Sequence, residues 1–416
     1  MTLVKGGRSM SHGRFTDSFA AAHPVGMARA CFSKASLTAA TSALVVGLLV
    51  AVASPALAAS TRHAGAPPGY ASGGRRAVFV QTDSPAGNEV VAYSRSAAGT
   101  LTETGSYPTG GLGGVLAGSV VDHLASQGSL VLDRADDALI AVNAGSNTIS
   151  VFGVHGDHLW LRQVLSSGGI FPVSVAVRGN LVYVLNALGG GVVQGFVARE
   201  GGLVPLAGSA RPLGLNPAAV PQYTNTPGQV AFSPDGSQLI VTTKANGNDV
   251  DVFGVNRDGF LTADPVVNSE PGTVPFAIAF SLSGDLVIAE AGTDALATFA
   301  LQQSGVITQL GAVATGQSAT CWVTAIGGLL YASNAGSATV SSAAISPAGS
   351  LTLLGQTATD AGPVDSAASP GGRFLYVQTG GAGVVDEFAV GPAGSLTQIG
   401  SVTVPGATGG EGIAAG

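Results

Sequence analysis

The chain has 416 residues, 46% of them hydrophobic and only 10% charged, with 62 glycines and a formal net charge of −7. The apolar content is ample for a core, and the glycines follow no three-residue period, which excludes collagen. An acidic body without a basic cluster speaks against nucleic acid and anionic membrane surfaces as partners.

The first 58 residues read as a signal peptide. Lys5, Arg8, Arg14, Arg29 and Lys34 form a basic leader, an apolar run covers 37–52, and Ala56-Leu57-Ala58 offers a small-residue cleavage site. The apolar run is shorter than the roughly 18–20 residues that a membrane span needs. Cleavage leaves 12 Lys+Arg against 23 Asp+Glu, a net charge near −11. The expected product is secreted, to the medium or the cell envelope, with no membrane attachment after cleavage. Cys31 leaves with the signal, so Cys321 is expected to stay unpaired as a small buried residue beside Trp322. Residues 59–74, rich in Ala, Ser, Gly and Pro, read as a flexible leader.

From residue 75 to 416 the chain repeats. Each unit has an apolar run ending in a polar residue, then an alternating strand, usually with an aromatic, then a Gly-x-Leu-Thr element. That element appears as Gly99-Thr-Leu-Thr102, Gly259-Phe-Leu-Thr262, Gly305-Val-Ile-Thr308, Gly349-Ser-Leu-Thr352 and Gly394-Ser-Leu-Thr397, with weaker copies at His158-Leu-Trp160 and Gly202-Leu-Val204. The stretch 230–262 shows a whole unit: an apolar run, a Pro-Asp-Gly turn, a second run ending at Lys244, the alternating strand 250–255, and Phe260-Leu261-Thr262. Seven units with a period near 45 and four strands each predict an all-β, seven-bladed β-propeller of antiparallel blades. Helical repeats of similar length would show a 3.6-residue period, which is absent. The first unit lacks its first strand, and 412–415 can supply it, so pairing of the two ends is expected to close the ring.

Aligning the units on the end of the second strand selects Gln81, Asn143, Asn186, Lys244, Glu290, Asn334 and Gln378. All seven are polar, and in a propeller they circle one mouth of the central channel. The amides serve either as strand-end caps or as ligand contacts. Lys244 and Glu290 occupy one slot in adjacent units, which suits a binding or proton-transfer pair or a plain ion pair. Trp322 is either a stacking surface at the mouth or core. His155-Gly-Asp-His158 falls where other units have a polar hairpin turn, and no metal or other cofactor is implied.

The units Phe232-Ser-Pro-Asp-Gly236 … Val252-Phe253 … Gly259-Phe-Leu-Thr262 and Ala368-Ser-Pro-Gly-Gly-Arg-Phe-Leu-Tyr-Val377 … Gly394-Ser-Leu-Thr397 resemble the seven-bladed lactonase family, which includes 6-phosphogluconolactonases and carboxymuconate cyclases. The resemblance implies His, Arg and Glu near the mouth, one form being Gly-Pro-Arg-His leading into an inner strand. Here that stretch reads Thr226-Pro227-Gly228-Gln229, without Arg or His, which points away from phosphorylated or polycarboxylate substrates. The expectation is a divergent secreted lactonase acting on a neutral or weakly charged cyclic ester. Glu290 would be general base or water-orienting group, Lys244 would stabilise the oxyanion, and Gln81, Asn143, Asn186, Asn334, Gln378 and Trp322 would contact the ligand. The alternative is a non-catalytic propeller that binds a small molecule or protein at its mouth. A closed ring has no need to oligomerise, so a monomer is expected.

Overall fold

The computed structural model describes residues 76–416 apart from 136 and 201. The signal and leader segments, 1–58 and 59–74, lie outside the described residues.

Seven antiparallel sheets of four or five strands are arranged as blades of one ring. Blade 1 pairs Ala77–Gln81, Glu89–Arg95 and Leu101–Pro108, and its innermost strand is Ile413–Ala415 from the far end of the chain. Val78 faces Ala415 and Val80 faces Ile413, so the expected closure is the observed one. Blades 2 to 7 begin on the inner strands Leu130–Asp133, Ile170–Arg178, Val230–Phe232, Pro275–Phe280, Thr320–Ile326 and Pro363–Ala368. In blade 3 the outer edge is shared by Gly202–Pro205 and Arg211–Pro212.

The second strand of each blade is buried on both faces, which is why it reads as an uninterrupted apolar run: Leu139–Val142, Leu239–Val241 and Leu286–Ala289 are all at most 2% exposed. Outer strands such as Leu351–Ala358 alternate half-buried and exposed residues, the signature of one solvated face.

The Gly-x-Leu-Thr element joins neighbouring blades. Its glycine has a left-handed φ, from 80° to 98° in the five strong copies, a conformation that glycine adopts without strain. In four of them the glycine carbonyl accepts a hydrogen bond from the preceding blade. Tyr376 Oη donates to Gly99 (2.7 Å), Tyr183 Oη to Gly259 (2.8 Å), Asn268 Nδ2 to Gly305 (3.0 Å) and Thr298 Oγ1 to Gly349 (2.5 Å). The apolar residue of the element is held by its own amide too: Leu101 N donates to Glu387 Oε1 and Ile307 N to Asn268 Oδ1. The motif therefore recurs because it is the seam between sheets.

Cys321 is fully buried, as expected of a small apolar residue, but no described cysteine is a free thiol, so the expectation of an unpaired cysteine does not hold.

Candidate functional site at the channel mouth

The inner strands start with a register shift in four blades, at Pro172/Ser174, Pro275/Ala277, Thr320/Trp322 and Pro363/Ser366. Such bulges re-aim the side chains they release. In blade 7 the released residues are Val364 and Asp365, and Asp365 is buried.

Two segments cover the mouth: residues 110–129, between blades 1 and 2, and residues 213–229, between blades 3 and 4. The first crosses the ring. Trp322 Nε1 of blade 6 donates to Ser126 O at 2.6 Å, Gln127 exchanges hydrogen bonds with Val323 at 3.0 Å each way, and Gln127 N donates to Gly228 O. His123 N donates to Gly409 O beside blade 1. Gly380 permits the close seat, since a Cβ there would overlap the Val121 carbonyl oxygen. The two segments meet where Ala117 N donates to Gln222 Oε1.

Lys244 ties both together. Its backbone is left-handed, φ 53°, where glycine or asparagine is the ordinary occupant, and its side chain is 1% exposed. Nζ donates to Ala125 O and Tyr223 O, each at 2.6 Å, and to Thr226 Oγ1 at 3.2 Å, and lies 5.2 Å from the centre of the Phe276 ring. Burial pushes its ammonium pKa down, against the pull of the Asp122 carboxylate. Asp122 in turn accepts from the amides of Leu124, Ala125 and Ser126 at 2.8–3.0 Å. Outside this clasp lies a crevice of about 10 Å³ lined by Leu188, Gly190, Asn216, Asn225 and Asn246, room for about one water.

Glu290 pairs with Pro275, whose carbonyl accepts from Lys244 N, but its side chain has its own partner. Its carboxylate accepts from Thr293 Oγ1 at 2.9 Å, and burial, with Glu270 nearby, raises its pKa. The structure thus gives Lys244 and Glu290 separate partners: the expected acid–base pair is not assembled. Trp322 is fully buried, edge-on to Phe276 at 5.0 Å, and so is core rather than a stacking surface. The amides divide. Asn143 Nδ2 bonds Thr148 and Ser150, and Asn334 Nδ2 bonds Thr339 and Ser341, as strand-end caps, while Asn186 Nδ2 bonds the carbonyls of Ser167 and Val192 and leaves its Oδ1 buried without a partner.

Gln81 and Gln378 are brought together. Gln378 Nε2 donates to Gln81 O at 3.2 Å, and Gln81 Nε2 donates to Asp83 Oδ1. Both residues are at most 1% exposed, and both side-chain oxygens are buried without a partner, as is His123 Nδ1 nearby. Orphaned acceptors in a buried polar site call for a donor such as water or a ligand hydroxyl. Beside them lie carboxyl groups that sequence reasoning did not single out. Asp83 Oδ2 accepts from Glu411 N at 2.7 Å, and burial raises the Asp83 pKa to about 8. Glu411 Oε1 accepts from Gly128 N at 3.0 Å and Oε2 from Ser126 Oγ at 3.2 Å. The Glu411 and Asp365 carboxyls are buried side by side, and two carboxylates so placed disfavour each other's ionised form. Burial, then the charge of Asp365, raises Glu411 well above the usual carboxylate range. Burial lowers the His123 pKa, against the opposing pull of the Asp83 backbone. The outcome is one buried titratable network running from Asp365 and Glu411 through Asp122 to Lys244.

One sequence signal pointed there. Leu101 and Leu159 are 58 residues apart, as are Leu203 and Leu261, whereas the equivalent positions elsewhere are 44–46 apart. The two long intervals contain the two segments that cover the mouth.

Residues 289–411 match the family model described as lactonase, 7-bladed beta-propeller. No curated protein sequence matches the chain. Among solved structures, a Lactobacillus plantarum protein superposes with TM-score 0.64 at 23% identity, covering 82% of this chain and 98% of its own. A candidate 6-phosphogluconolactonase of Bacteroides fragilis gives 0.64 at 20% identity over 83% and 99%. The periplasmic gluconolactonase PpgL of Pseudomonas aeruginosa gives 0.63 at 19% over 81% and 98%. The ring and its closure make this chain a seven-bladed propeller, and its segment 289–411 is similar to the lactonase propeller family.

Proposed function

We propose that the protein is an exported lactonase-like enzyme that opens a small, neutral or weakly charged cyclic ester, with its reacting groups in the blade 7, 1 and 2 sector of the mouth. The observation that supports this is the buried cluster of Asp83, Asp365 and Glu411 carboxyls beside the orphaned oxygens of Gln81 and Gln378. Carboxyl groups with pKa values lifted toward neutrality suit general base work, and unpartnered amide oxygens suit the holding of a water. In the step proposed, a carboxylate takes a proton from that water, the water oxygen bonds to the acyl carbon, the ring C–O bond breaks, and the leaving alkoxide receives a proton to give the hydroxy acid. Access requires residues 110–129 to move aside. Export rests on the signal-like first 58 residues, and the likeness to a periplasmic gluconolactonase agrees with it. Among the described residues no helix is long and apolar enough to cross a membrane.

The second reading is a propeller that binds a ligand or protein without turnover. The observation favouring it is the closed mouth, with every donor of Lys244 committed to the covering segments. A pH-stat panel of neutral and acidic lactones separates the two. Wild type and Glu290→Gln should turn over at similar rates, while Glu411→Gln and Asp365→Asn, checked for folding, should lose about a hundredfold or more. No turnover above buffer for any lactone sinks the enzymatic reading and leaves the binding one.

A further inference from the structure

The face opposite the mouth carries a second feature, at the seam where blade 7 meets blade 1. The turn at 369–373 joins the first two strands of blade 7, and Arg76 and Arg95 stand at the same end of blade 1. With Ser369, Pro370 and Phe374 they and Arg373 line a cleft of about 290 Å³. Three arginines thus converge in a chain that has only 17 basic residues and is acidic overall, and no carboxylate lines the cleft.

Two of the guanidinium groups are held in place by one aromatic ring. Those of Arg95 and Arg373 lie 5.9 and 5.3 Å from the centre of the same Phe374 ring. Phe374 N donates to Ser369 Oγ at 3.1 Å, which fixes the turn that presents Arg373. Arg95 Nη2 donates to Gly416 O at 3.2 Å, but its Nε is buried without a partner. No side-chain hydrogen bond or ion pair joins Arg76 or Arg373 to another described residue. Gly416 O answers Arg95 in part, but three guanidinium groups this close repel one another, and an anion held by forked donors relieves that repulsion. The volume suits a small molecule.

We infer that this cleft is a binding site for a small oxyanion of phosphate or sulfate type, separate from the channel mouth. The test is isothermal titration and thermal melting of the purified chain with sodium phosphate and sodium sulfate, each against sodium chloride at matched ionic strength. Expected is saturable binding of one or both oxyanions with Kd near or below about 1 mM, weakened about tenfold in each of Arg76→Gln and Arg373→Gln. Both variants should melt as wild type does without the anion. Which oxyanion binds more tightly distinguishes a phosphate site from a sulfate site. An effect no larger than that of chloride, or saturable binding unchanged in both variants, overturns the proposal. Should a variant fail to fold, Arg373→Lys keeps the charge but loses the fork, and undiminished affinity there also counts against it.

Discussion

Replacing Lys244 by methionine tests whether the mouth is clasped as described. Methionine keeps the length of the stem and removes the ammonium. Two carbonyls now served at 2.6 Å, those of Ala125 and Tyr223, lose their donor, and Asp122 loses its counter-charge. A buried acceptor left unpaired costs about 1–3 kcal/mol. Against this stands the relief of no longer burying an ammonium. Removing one member of a buried pair costs about 3–5 kcal/mol net, and that is the expected loss. Urea unfolding measures it, and hydrogen exchange locates it: amides in 110–129 should exchange faster while those of the blade 5 and 6 inner strands stay protected. In a double-mutant cycle with Asp122→Asn, the combined loss should fall short of the sum by about 1 kcal/mol or more. A loss under about 1 kcal/mol with unchanged exchange over 110–129 would refute the clasp.

Three further outcomes are expected. Asp83 titrates higher folded, about 8, than unfolded, near 3.8, so the folded protein holds the extra proton between those values. Its contribution is full below the unfolded value and lost as pH rises through about 8; the urea midpoint should therefore fall between about pH 4 and about pH 8, less steeply in Asp83→Asn, and equal slopes would contradict the assignment. Trp322→Phe strands the Ser126 carbonyl and should cost about 1–3 kcal/mol, read as a lowered melting temperature. Gly380→Ala drives a methyl into the Val121 carbonyl and should cost about 1–3 kcal/mol; a neutral result would mean that 110–129 is not seated there.

The ring was legible because its signals are local and repeated. Gly-x-Leu-Thr needs a left-handed glycine in each copy, and second strands buried on both faces must be apolar throughout. The missing first strand and the spare 412–415 showed the closure. The site was legible only in part. Gln81 and Gln378 were found as strand-end polar positions, and they do meet. Lys244 and Glu290 share a slot in the repeat, and Pro275 bridges their backbones, but their side chains part: the left-handed backbone at Lys244 and the two extra segments draw its ammonium away, and Glu290 turns to Thr293. Asp83, Asp122, Asp365 and Glu411 lie in loops, turns and bulges, which have no period, and what unites them is the closed ring.

Glu411 lies 328 residues from the Asp83 carboxylate that its amide reaches, and it immediately precedes the strand that closes blade 1. While the chain is being made, six sheets can form before that last strand exists, but the carboxyl network cannot. Its groups stay apart, hydrated and ordinary in their acidity until the final residues dock. Formation of the carboxyl cluster is therefore tied to completion of the ring.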